Sequence, residues 1–266
     1  SLSDSFHLPG AELNVVSAND SSVIQLKTGA SSTLHQAELN AAFQGYSNGF
    51  KLHFFPSTCF INDKKWALEK DGEFILRNEL IKINDIRFVQ ADQSLRITTE
   101  LDEESNKQYI IAILENLQIG DFLPLSVNVP KLNAKVSGKV MITDPLGNLK
   151  AETELKARDL MLDNREVGDI SIHADFDKES MKLSYNAVSD DTVRKLAFQG
   201  ELDLLDTLHR KIQSNFESTS LDLSILSPYL SDIFDEINGR ASTSFTIEGE
   251  LDAPDITGSI LVNKAT

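Results

Sequence analysis

Apolar and polar residues alternate along much of this chain. Met181, Leu183, Tyr185 and Ala187 are interleaved with Lys182, Ser184 and Asn186. Leu196, Phe198, Leu202 and Leu204 fall in one phase, as do His35, Ala37, Leu39, Ala41 and Phe43, and Leu95, Ile97, Thr99 and Leu101. Successive side chains of a strand point to opposite faces, so these stretches predict strands with one apolar and one polar side. Turn-forming clusters separate them: Ser47-Asn48-Gly49, Lys70-Asp71-Gly72, Asp144-Pro145-Leu146-Gly147-Asn148 and Ser189-Asp190-Asp191. Many short strands at this spacing predict an all-β fold of mostly meandering antiparallel pairs.

Helix signals are few. Ser227 suits an N-cap, Pro228 the first helical position and Gly239 the position past the C-terminus. Between them Tyr229, Leu230, Ile233, Phe234 and Ile237 fall at helical spacing, which predicts a short amphipathic helix. Leu117 to Leu125 is a weaker candidate, and Leu204 to Arg210 is too short to support one. These places expose an internal repeat. Leu117-Gln118-Ile119 with Pro124 matches Leu221-Asp222-Leu223 with Pro228, and Leu132-Asn133-Ala134-Lys135-Val136 matches Ile237-Asn238-Gly239-Arg240-Ala241. Val140 and Ile142 match Phe245 and Ile247; Leu155 and Ala157 match Ile260 and Val262. The repeat predicts stacked modules: 1–116 an N-terminal β module, 117–220 a second, and 221–266 the start of a third.

Composition narrows the function. The chain has 266 residues, with Lys plus Arg 25 against Asp plus Glu 41 and a formal charge of −16. A nucleic-acid binder or an electrostatic anchor on anionic lipid needs clustered cations, so both are disfavoured. Contact with lipid through apolar surface is not. No run of apolar residues is long enough to span a bilayer as a helix. The opening Ser1-Leu2-Ser3-Asp4-Ser5 does not resemble a signal peptide, which predicts a mature or excised piece of a longer protein.

Candidate chemistry is sparse. Cys59 is the single cysteine, so neither an internal disulfide nor a cysteine-based metal site can form, and its strand context predicts a buried structural thiol. His7, His35, His53, His173 and His209 are scattered, with none at metal-ligand spacing; His35 reads as a core or groove residue. No nucleophile elbow, phosphate loop or dinucleotide fingerprint is present. Ala174 to Ser180 has the acids of a calcium loop without its turn glycine or its closing glutamate, so a charged hairpin tip is expected. Asp102-Glu103-Glu104 and Asp190-Asp191 read the same way. The expectation is no catalysis, no metal and no cofactor.

The most specific stretch runs from Gly239 to Val262. A strand enters, Gly249 permits a bend, Ala253-Pro254 turns, and Gly258 interrupts a second strand. This resembles the repeat of the TamB (translocation and assembly module) and AsmA-like family. The order Phe60, Asp63, Trp66, Ile83, Ile86, Phe88 and then Asp92-Gln93-Ser94-Leu95-Arg96-Ile97 is similar to TamB homologues of the Bacteroidetes type. Residues 1–50 and Asn164 to Gln213 carry no such signature.

The resemblance implies an internal periplasmic segment of a protein anchored in the inner membrane by segments absent here. It implies a long curved sheet, a β-taco, with an apolar groove. It further implies phospholipid transport to the outer membrane, or protein assembly there, with an outer-membrane assembly barrel as partner of the full-length protein. A bound chain would gain about 0.8 kcal/mol per buried CH₂. The expected groove residues are Met181, Leu183, Tyr185, Leu196, Phe198, Leu202, Phe245, Ile247, Ile260 and Val262. A closed β-sandwich or β-helix that binds glycan or protein is the alternative, and an enzyme on a β-helix is a third.

Overall fold

The structure, a computed structural model, describes residues 12–18, 21–28, 34–78, 80–102, 107–122, 131–163, 165–189, 191, 195–206, 209–226 and 239–265. Nineteen strands account for most of these, and their pairings are antiparallel. The expected all-β antiparallel fold is therefore present. The helix expected at Ser227 to Gly239 falls on residues 227–238, outside the described residues, and Gly239 begins a strand at φ 123°. Where a helix was expected from Leu117, the chain stays extended through Gln118 and then makes one 3-10 turn, Ile119–Asp121. A second 3-10 turn lies at Leu223–Leu226. By its contacts the chain divides into two compact units, 1–128 and 129–266.

The first unit holds β1 (Glu12–Ala18), β2 (Ser21–Thr28), β3 (Leu34–Tyr46), β4 (Gly49–Phe54), β5 (Ser57–Ile61), β6 (Lys64–Leu68), β7 (Gly72–Arg77), β8 (Leu80–Asn84), β9 (Ile86–Gln90), β10 (Gln93–Asp102) and β11 (Lys107–Gln118). Its sheet divides at β3. Residues Ala41 to Tyr46 pair with β4, whereas Leu34 to Glu38 pair with β5. The division falls where Pro56, which has no N–H to donate, separates β4 from β5. Asn40 serves as the pivot. Its carbonyl accepts the Phe55 N–H at 2.9 Å, its own N–H donates to Ser57 Oγ at 2.9 Å, and its side-chain amide donates to the Pro56 carbonyl at 3.3 Å.

One branch continues β4–β7–β8 and the other β5–β6–β9–β10–β11. They meet again where the Ile83 N–H donates to Thr99 Oγ1 at 3.2 Å and the Ile83 carbonyl accepts the Thr99 hydroxyl at 3.2 Å. Register puts Ala37, Ala41, Trp66, Leu68 and Ile83 on the face that both branches turn inward, and all five are buried. Phe43, Phe50 and Phe74 stack along the first branch with ring centroids 5.7 and 5.9 Å apart. Trp66 meets Phe122 edge-on at 5.6 Å.

The second unit holds β12 (Leu132–Thr143), β13 (Lys150–Leu162), β14 (Arg165–Asp177), β15 (Lys182–Ser189), β16 (Leu196–Asp203), β17 (Lys211–Asp222), β18 (Gly239–Glu250) and β19 (Ala253–Ala265). Each strand pairs with the next in the chain, from β12 to β19, and among the described residues β12 does not pair with β19. The result is an open meander. Along the chain β11, a 3-10 turn, β12 and β13 come in order, as do β17, a 3-10 turn, β18 and β19.

Two local features differ from the sequence expectation. Met181 is not part of β15; it closes the β14–β15 turn at φ 53°, and its carbonyl accepts the Leu204 N–H at 2.8 Å. The tight reversal needs one left-handed residue there, and that need overrides the alternation. The turn before β19 is Leu251–Asp252, so Pro254 lies inside the strand, opposite Gly249. β19 has only β18 as a described partner, and an edge strand tolerates proline. The charged tip at Asp177 to Ser180 is an Asx-type turn, with the Glu179 N–H donating to Asp177 Oδ1 at 2.8 Å.

Candidate functional site

In the second unit, cross-strand register sorts the side chains into an apolar and a polar face. Leu155, Ile172, Ala187, Phe198, Phe216 and Phe245 stand opposite one another across six successive strands. A parallel row runs Ile142, Ala151, Phe176, Leu183, Leu202 and Ile212. Between them lie Val140, Thr153, Ala174, Tyr185, Gly200, Ser214, Ile247 and Ile256. The opposite face carries Lys139, Glu154, His173, Asn186, Gln199, Asn215, Thr246 and Thr257 in one row.

Leu183, Tyr185, Leu196, Phe198, Leu202, Phe245, Ile247, Ile260 and Val262 all share the apolar face. Met181, in its turn, does not belong to these rows. Phe216, Ile172, Phe176, Leu155 and Ile212 belong to the face as well, though the alternation had not singled them out. On β17 the signal is diluted, because Ser214 and Ser218 occupy the apolar-face positions on either side of Phe216. Pairing each strand with its neighbour is what recovers these residues.

The centre of the face is aromatic. Tyr185 and Phe198 lie 5.1 Å apart, Phe198 and Phe216 6.4 Å, and Phe216 and Phe245 6.1 Å between centroids. Two glycines make room for the rings. Gly200 is between Tyr185 and Ser214 in register, and a Cβ there would overlap Ser214 Oγ. The Tyr185 hydroxyl passes this position to hydrogen-bond Ser214, whose side chain is fully buried. Gly258 stands opposite Phe245, and a Cβ on it would meet the Phe245 ring at 2.8 Å.

The face is not sealed. Leu183, Tyr185, Leu196, Phe198, Leu202, Phe216, Phe245 and Ile247 are half-buried, and Ile256, Ile260 and Val262 on β19 are 63%, 44% and 48% exposed. Within it Ser214 is fully buried, and its margin is closed at Val136, Ala157, Ile170, Ser218 and Thr243. A half-covered apolar face can gain free energy by taking an apolar ligand out of water.

The candidates for chemistry lie elsewhere and are dispersed. His173 pairs with Asp175 at 3.1 Å and His209 with Asp206 at 3.1 Å, both on exposed surface. His53 sits between Glu73 and Asp71, 3.3 Å from each, beside Lys51 and Asn84. Hydrogen bonds from Lys51 and Asn84 hold the Glu73 carboxyl down to about 2. Burial pushes the Cys59 thiol up, away from the reactive thiolate. Among the described residues no group of three or more His, Cys, Asp or Glu is placed to hold a metal ion. No helix among them is long and apolar enough to cross a membrane. Comparison with family models, with curated proteins and with solved structures returns no match to this chain.

Proposed function

We propose that this chain is a periplasmic segment of an inner-membrane-anchored protein of the TamB/AsmA-like kind, and that it is not an enzyme. Its second unit offers the apolar chain of a phospholipid a surface to lie on during transport to the outer membrane. Assembly of proteins in that membrane is the companion role that the resemblance suggests. One observation carries this reading: two apolar rows each run across six strands of the second unit, and most of their residues stay half-exposed. The sequence resemblance around Gly239 to Val262 and Phe60 to Ile97 supports the family. The ligand needs no polar recognition of its tail, since burial at about 0.8 kcal/mol per CH₂ suffices.

Binding of a fluorescent long-chain fatty acid tests the reading. Phe245→Asp is expected to leave the far-UV spectrum unchanged, because the carboxylate reaches water from a half-exposed position, and to abolish binding. A folded Phe245→Asp protein that binds the probe as the wild type does would remove Phe245 from the site. A wild-type chain that binds no acyl probe would remove the function.

A further inference from the structure

At one end of the second unit the sheet has a notch. β14 meets β15 only from Ile170 onward, so Arg165 to Asp169 run past the end of β15. On the other side β17 meets β16 only as far as Ser218, so Thr219 to Asp222 run past the end of β16. The overhangs flank a cavity of about 210 Å³ lined by Arg165, Leu196, Ser218, Ser220, Ser224 and Arg240 among others.

Its charges are unusual for so acidic a chain. The Arg165 side chain is half-buried, and among the described residues neither a hydrogen bond nor an ion pair engages it. Among the described residues Arg240 makes one long bond, 3.4 Å, to Ser220 Oγ, and no ion pair. Two carboxylates also line the cavity. Asp222 accepts the Ser224 N–H at 2.9 Å, and Glu166 is exposed. Two guanidinium groups that form no ion pair among the described residues, beside three serine hydroxyls, suit a tetrahedral oxyanion. Leu196 and Ser218 line this cavity and also belong to the margin of the apolar face. The cavity therefore borders one end of that face.

We propose that the notch between β14 and β17 binds the phosphate of an amphiphile whose acyl chain lies on the apolar face. This inference rests on the groove reading above and adds the head group to it. The ligand class is a single-chain or double-chain phospholipid with an anionic phosphate, held by Arg165 and Arg240.

The test compares lysophosphatidylglycerol with a monoacylglycerol of the same chain, titrated against the whole chain. The phosphate-bearing ligand is expected to bind about tenfold more tightly, as one charge-assisted contact would give. Arg165→Gln and Arg240→Gln should each erode that preference and leave monoacylglycerol binding unchanged, with circular dichroism confirming the fold. Equal binding of the two ligands to the wild type, or a preference that survives both substitutions, overturns the notch and leaves the groove standing. Failure of both ligands to bind overturns the groove and the notch with it. Inorganic phosphate should compete only weakly. Competition as strong as that of the lysolipid would make this a free-anion site and overturn the lipid assignment.

Discussion

The two units are built from the same alternating strands and treat their apolar faces in opposite ways. The first divides its sheet at β3, brings the branches together again at Ile83, and closes Trp66 and Leu68 to 2% exposure each. The second never divides, so each strand meets only its neighbours and the rings of Phe198, Phe216 and Phe245 stay half-exposed. One proline and one asparagine account for much of the contrast. Pro56 interrupts the ladder, and Asn40 holds both strand ends against β3. A sheet that can divide can supply its own cover, whereas this open meander leaves its apolar face half-exposed.

Charge placed on each face should expose this difference most strongly. Leu68→Asp buries an unpaired carboxylate in the closed unit, costs several kcal/mol (about 3 to 5), and should prevent that unit from folding. Phe216→Asp in the open unit should fold, and loss of its native far-UV spectrum would show the face to be a sealed core. Truncation comes next. Trp66→Ala should cost about 3 to 5 kcal/mol, whereas Phe216→Ala, already half in water, should cost about 1 kcal/mol. Urea unfolding of the two variants measures both, and equal values would erase the contrast.

A smaller effect tests the one polar contact set into the aromatic row. Tyr185→Phe leaves the buried Ser214 hydroxyl unpaired and should cost about 1 to 3 kcal/mol. Adding Ser214→Ala should recover most of that, and a double-mutant cycle with no coupling would mean the two hydroxyls do not need each other. The smallest effect is one of pH, in the first unit. The Glu73 carboxyl lies below its ordinary 4.5, at about 2, through Lys51 and Asn84. Its contribution is present above the ordinary value and is lost as pH falls through the folded one. Acid titration of stability should therefore steepen between these values, and Glu73→Gln should flatten that window.

Much of this was legible in the sequence, because strand periodicity is a local property. The alternation from Leu183 to Ala187 and at Leu196, Phe198 and Leu202 translates directly into one face of the sheet. Decisions made by distant partners were not legible. Nothing near β3 announces that its two halves take different neighbours, and Phe216 joins the aromatic row only once Phe198 and Phe245 are placed beside it. Met181 and Pro254 were misplaced by short-range reasoning, since the turn each adjoins is set by the pairing of its two strands. Arg165 carries no sequence signal, since its lack of a hydrogen bond or ion pair among the described residues depends on distant strands.

The polar face of the second unit has a consequence of its own. Lys150, Asp177, Lys182, Asp203, Lys211 and Glu250 occupy one register row on six successive strands, with Lys150 and Asp177 3.0 Å apart. The Lys150 ammonium is held up and the Asp177 carboxyl down by their mutual hydrogen bond. Exposed pairs of this kind add little stability, but like charges set directly opposite are repelled. The row thus works as a parity check. Skipping one strand during folding would set Asp177 against Asp203, or Lys182 against Lys211, and be penalised. Gaining or losing a whole hairpin keeps the signs alternating and goes unpunished. Such an array can change length by two strands at a time without rewriting its surface.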